Sequence, residues 1–80
     1  MKLQVRINSP EKLLWEGEAE WVSSVNVRGP FDILPLHANF ISIIHDKSIK
    51  IKTDAGIKEY SFANSVIYAN KNRVLIYTNI

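Results

Sequence analysis

Gly29-Pro30-Phe31-Asp32-Ile33-Leu34-Pro35-Leu36-His37-Ala38-Asn39 is the one stretch of this 80-residue chain where two prolines, a glycine, a histidine and large apolar residues crowd together. On either side of it, apolar and polar residues alternate almost without break, the period of half-buried strands. The pattern describes a β-domain interrupted once by a short segment of unusual shape. That segment is the first place to look for a recognition surface.

Upstream, residues 2–8 put Leu3, Val5 and Ile7 on one face and Lys2, Gln4, Arg6 and Asn8 on the other. Ser9-Pro10-Glu11-Lys12 is a turn, since proline cannot continue a ladder. Residues 13–16 resume as a short strand. Residues 17–27 read as one long strand feeding the turn at Arg28-Gly29-Pro30, with Trp21, Ser23, Val25 and Val27 on one face. Of the two tryptophans, Trp21 is placed in the core ahead of Trp15.

Downstream, residues 31–34 form a short apolar strand closed by Pro35, and residues 40–44 another. Residues 48–54 alternate, with Ile49, Ile51 and Thr53 inward and Lys50 and Lys52 outward. A two-residue loop at Ala55-Gly56 pairs Ile51 with Tyr60, Ile49 with Phe62 and Lys52 with Glu59. It avoids the opposed lysines 52 and 58 of a three-residue loop, although Ala-Gly suits a bulged turn. A last hairpin joins residues 65–69 to 73–78 around Asn70-Lys71-Asn72, where asparagine tolerates left-handed backbone. About nine short strands at this spacing predict an all-β sandwich or barrel.

Eighty residues make one domain, 1–80, near the lower size limit for a self-sufficient core. The absence of cysteine excludes a disulfide framework and a thiolate metal site. No apolar run approaches the ~18 residues of a membrane span. A net charge of +2 with mixed signs is too weak to argue for nucleic acid alone.

Catalytic chemistry finds little support. His37 and His45 lie beside no ligand-like cluster. Asp32, His37 and Ser42 form only a nominal trio, since triads are defined by geometry. Glu16, Glu18 and Glu20 share a strand face and are expected to form a solvated edge facing lysines of a neighbour. The three glycines are isolated, so there is no phosphate loop. Lys47, Lys50, Lys52 and Lys58 with Tyr60, Tyr68 and Tyr77 are the minimum for a free-standing barrel binding single-stranded nucleic acid or another extended ligand. Core packing already accounts for those tyrosines.

The order of features resembles the epsilon subunit of F-type ATP synthases over essentially the whole chain. The resemblance rests on Ser9-Pro10-Glu11-Lys12-Leu13-Leu14-Trp15-Glu16-Gly17-Glu18 and on the Phe-x-Ile-Leu-Pro-x-His-Ala core of residues 31–38. It also rests on Lys50-Ile51-Lys52, Phe62-Ala63 and the stretch from Val66 to Val74. Asp32 and Leu36 stand where the family has glycines, Asn39 where it has proline, and Asn64-Ser65 where it has paired glycines. Loss of those glycines predicts less strained turns.

The resemblance implies a flattened sandwich of two antiparallel sheets, with no catalytic residue, metal or cofactor. It implies a subunit at the foot of the rotor, peripheral to the cytoplasmic face of the membrane. One face would pack on the gamma subunit and the loop end would rest on the c-ring, coupling ion flow to ATP synthesis or hydrolysis. By the motif match, Leu36, His37 and Ala38 lie toward gamma, and Arg28, Gly29, Pro30 and Asp32 in the loop approaching the ring. Phe31, Ile33 and Leu34 are core anchors. The family adds two regulatory C-terminal helices, whereas this sequence stops at Ile80, which implies a short form or a trimmed piece.

Overall fold

The computed structural model describes residues 1–36 and 39–79. Nine strands follow one another: β1 (Leu3–Asn8), β2 (Leu13–Ala19), β3 (Trp21–Asn26), β4 (Gly29–Ile33), β5 (Phe40–His45), β6 (Ser48–Thr53), β7 (Gly56–Ser61), β8 (Asn64–Asn70) and β9 (Arg73–Thr78). They form a five-stranded sheet, β2-β1-β9-β8-β5, and a four-stranded sheet, β4-β3-β6-β7. The result is the all-β sandwich expected. Every pairing is antiparallel except β1 with β9, which lie parallel at the centre of the larger sheet. Among the described residues no helix is long and apolar enough to cross a membrane.

The core is built from alternate residues of both sheets. Leu3, Val5, Ile7, Ile44, Ile67, Val74 and Ile76 come from the larger sheet and Val22, Ile33, Ile49 and Ile51 from the smaller, all buried. Most are β-branched, the shape that packs well on a pleated surface. Each is worth about 1.5–3 kcal/mol relative to an exposed position. Phe31 and Phe40, 5.0 Å apart between ring centroids, and the stacked Tyr60 and Phe62 pack against it.

Three details depart from the sequence reading. Residues 17–27 are not one strand: the chain leaves the larger sheet after Ala19 and enters the smaller at Trp21. Glu20 is the corner, its N–H donating to the Lys52 carbonyl at 2.8 Å. Odd-numbered Ala19 is buried before the corner and even-numbered Val22 and Ser24 after it, so the inward phase flips. Trp21 therefore faces out opposite Lys52, while Trp15 packs on the core.

The second departure is the β6–β7 register. Thr53 pairs with Gly56, Ile51 with Lys58, Ile49 with Tyr60 and Lys50 with Glu59. The turn residues are thus Asp54-Ala55, and Gly56 takes a φ of 123° just past them, as a bulge glycine does. Thr53 Oγ1 accepts from the Ala55 N–H at 3.2 Å and donates to the Gly56 carbonyl at 3.0 Å. Glu59 consequently faces Lys50, not Lys52. The third is Leu34, which is half exposed and not a core anchor.

Candidate interaction surface

The two outer faces of the sandwich differ in chemistry. On the smaller sheet, one cross-strand row reads Asp32, Ser23, Lys50, Glu59. Such a row is content in water. On the larger sheet, one row reads Ile41, Tyr68, Leu75, Arg6, Glu16, and the next Ile43, Val66, Tyr77, Asn8. Ile41 and Ile43 are 68% and 71% exposed, and Tyr68 and Tyr77 also reach solvent. The β5-β8-β9 part of this face is apolar. The β1-β2 part is polar, with Arg6 Nε 3.2 Å from Glu16 Oε2 and Gln4 Nε2 donating to Glu18 at 3.0 Å.

A two-layer sandwich buries only one face of each sheet, so strands apolar on both faces leave a patch that a partner must cover. The signal stood in the sequence. Ile41, Ile43 and Ile44 on β5, and the unbroken run Val74-Leu75-Ile76-Tyr77 on β9, are apolar in both phases of the alternation. The tyrosines were assigned to the core instead, which holds for Tyr60 but not for Tyr68 or Tyr77.

β5 is also an edge strand. A groove of about 990 Å³ runs between it and the β3–β4 turn, with Val27, Arg28, Ile41, Ile43, His45 and Lys47 among its walls. Asn26 Nδ2 donates to Ser42 Oγ at 2.9 Å, tying the two sheets beneath it. His45 Nδ1 lies 2.8 Å from Asn64 Oδ1 and its Nε2 3.3 Å from Asp46 Oδ2.

Arg28 sits in the two-residue β3–β4 turn, its N–H donating to Asn26 Oδ1 at 2.8 Å. Gly29 opens β4 with a φ of 120°. Pro30 faces Val25 and Asp32 faces Ser23, both exposed. Leu36 lies past the other end of β4, about 17 Å away for a five-residue strand. The structure thus assembles Arg28, Gly29 and Pro30 at one end of the sandwich and sets Leu36 at the other. His37 and Ala38 lie outside the described residues.

Leu36 has a φ of 64°, so the less strained turn expected from the sequence is not found at this position. Its N–H donates to Asn72 Oδ1 at 2.6 Å. Glu16 and Glu18 face Arg6 and Gln4, not lysines. The lysines and tyrosines of the nucleic-acid reading are dispersed. Lys50 and Lys52 lie on the smaller sheet's outer face, Lys58 Nζ is 5.9 Å from the Trp15 ring centroid, and Tyr68 and Tyr77 are on the opposite face. Among the described residues no group of three or more acidic or histidine side chains is placed to hold a metal ion.

Comparison with known proteins gives the same frame. A family profile described as the β-sandwich domain of the ATP synthase delta/epsilon chain matches residues 2–80. The ATP synthase epsilon chain of Clostridium novyi is 31% identical over 91% of this chain and 56% of its own length. The chloroplastic epsilon chain of Bigelowiella natans is 32% identical over 99% and 59%. The chain thus spans a little over half the length of these relatives. In solved structures, a chain of the Euglena gracilis mitochondrial ATP synthase superposes with a TM-score of 0.87 at 11% identity, over 96% of this chain and 50% of that one. A chain of the Tetrahymena thermophila central stalk and c-ring assembly gives 0.81 at 12%, over 98% and 63%. At such identities the likeness is one of fold. The profile match over nearly every residue, on a sandwich of this shape, places the chain in the ATP synthase delta/epsilon family, as its β-sandwich domain.

Proposed function

We propose that the chain is a non-catalytic rotor component of an F-type ATP synthase, packing on the gamma subunit and resting on the c-ring. The carrying observation is the apolar half of the larger sheet's outer face, centred on Ile41, Ile43, Tyr68 and Leu75. It is unpaired within the domain and ready to be covered by a large, stable partner. Arg28, Gly29 and Pro30, at the opposite end from Leu36, supply the contact with the ring, and Asp32, further along β4 on its exposed face, adds to it. Leu36, His37 and Ala38 extend the gamma side.

Rigid, hydrogen-bonded strands suit a contact that transmits torque, because little conformational entropy is lost on docking. Residues 1–80 act as one unit, held at the membrane through the complex. No nucleotide, metal or other cofactor enters the reading. The test is size-exclusion chromatography with the cognate gamma subunit. Co-elution at micromolar concentration is expected, and separate elution overturns the proposal.

A further inference from the structure

Leu36 combines two features that oppose each other in an isolated domain. Its backbone is left-handed, with a φ of 64°. Glycine adopts that conformation freely, but a residue with a Cβ keeps it only when its surroundings impose it. Its side chain is 77% exposed, so packing inside the domain does not compensate for the strain.

What imposes the backbone is Asn72. Its Oδ1 accepts the Leu36 N–H at 2.6 Å, and its Nδ2 lies 3.2 Å from Met1 Sδ. Its own carbonyl accepts the Gln4 N–H at 2.8 Å. Asn72 sits in the β8–β9 turn, where Lys71 and Asn72 have φ values of 51° and 62°. One side chain therefore bridges the start of the chain, the last turn and the connection that carries Leu36.

Glycine would fill this left-handed position without strain, and the exposed leucine brings the fold no packing in return. We infer that Leu36 is a specificity-determining docking residue, held left-handed by Asn72 so that its side chain enters an apolar recess on the gamma subunit. Asn72 is its positioning residue. This rests on the rotor reading above and deepens it. Met1, also exposed and beside Asn72, adds a second apolar group, and the connection leads directly into β5 with Ile41 and Ile43. Lys71 and Arg73, exposed on either side of Asn72 in sequence, call for carboxylates on the rim of the recess.

The test titrates the 80-residue chain with the cognate gamma subunit by calorimetry, alongside thermal unfolding of the chain alone. Leu36→Gly is expected to leave the thermal midpoint unchanged or raised while weakening binding about ten- to a hundredfold, the worth of one buried leucine. Leu36→Met keeps an apolar side chain and is expected to bind nearly as wild type. Asn72→Gly suits the turn's backbone but removes the clamp and weakens binding. Asn72→Asp retains an acceptor for the Leu36 N–H and restores it. Wild-type affinity in Leu36→Gly, or a lowered midpoint, overturns the inference and leaves the rotor reading standing. Failure of the wild-type chain to bind removes both.

Discussion

At Gly17 a Cβ would stand 2.7 Å from Trp15 Cζ2 and 3.0 Å from Cη2. The two residues share the inward side of β2, and the indole lies across the space that Gly17 leaves open. Trp15 packs on the core, with the Lys58 ammonium over its ring, so a shift of the ring disturbs both contacts. Gly17→Ala is expected to destabilise by about 1–3 kcal/mol, the usual cost of overpacking. That is several degrees of thermal midpoint in a domain this small. An unchanged midpoint would mean that the indole shifts freely. The sequence reading put Trp21 in the core ahead of Trp15. Nothing in a one-dimensional pattern shows that the chain turns a corner at Glu20. Leu36 was equally opaque, since a leucine after a proline does not announce a left-handed backbone, and an apolar run did not show that Leu34 ends half exposed.

Between elements, the two sheets are joined at the Leu36 end by an ion pair between Lys2, just before β1, and Asp54 in the β6–β7 turn. The hydrogen bond from Lys2, then its charge, holds the Asp54 carboxyl below its ordinary value of 3.8. The same hydrogen bond is the main cause raising Lys2 above 10.5. A lowered carboxyl stabilises the fold above its unfolded pKa and stops doing so as pH falls through the folded value. A raised amine stabilises below its unfolded pKa and stops as pH rises through the folded value. Asp54→Asn should therefore lower the midpoint slightly at neutral pH, with the deficit to wild type closing below pH 3.8 and in high salt. Parallel midpoint-against-pH curves would refute the link. Apart from the division of residues 17–27 at Glu20, the strands were legible, because each carries its alternation in its own residues. The β6–β7 register was not. Ala55-Gly56 was read as the turn, but Gly56 follows the turn as the positive-φ residue, which slides every partner by two.

Over the whole molecule, the asymmetry of the two outer faces separates a docking surface from a solvated one. The face of β5, β8 and β9 combines isoleucines with tyrosines, aromatic side chains of the kind enriched at interface hot spots. The face of β3, β6 and β7 opposes Lys50 to Glu59 and sets Lys52 between its outward apolar residues Trp21 and Ile57, so its apolar groups are divided by charge. Ile41→Lys and Ile43→Lys place charges on the first face without entering the core, since both side chains point to solvent. Each is expected to weaken binding of the gamma subunit at least about tenfold, as a charge in a desolvated contact must. The thermal midpoint of the free chain should change little and its solubility should rise. Lys50→Ala on the opposite face is expected to leave binding as it was. If Lys50→Ala weakens binding and the isoleucine variants do not, gamma sits on the smaller sheet, and the apolar face must be assigned to another partner.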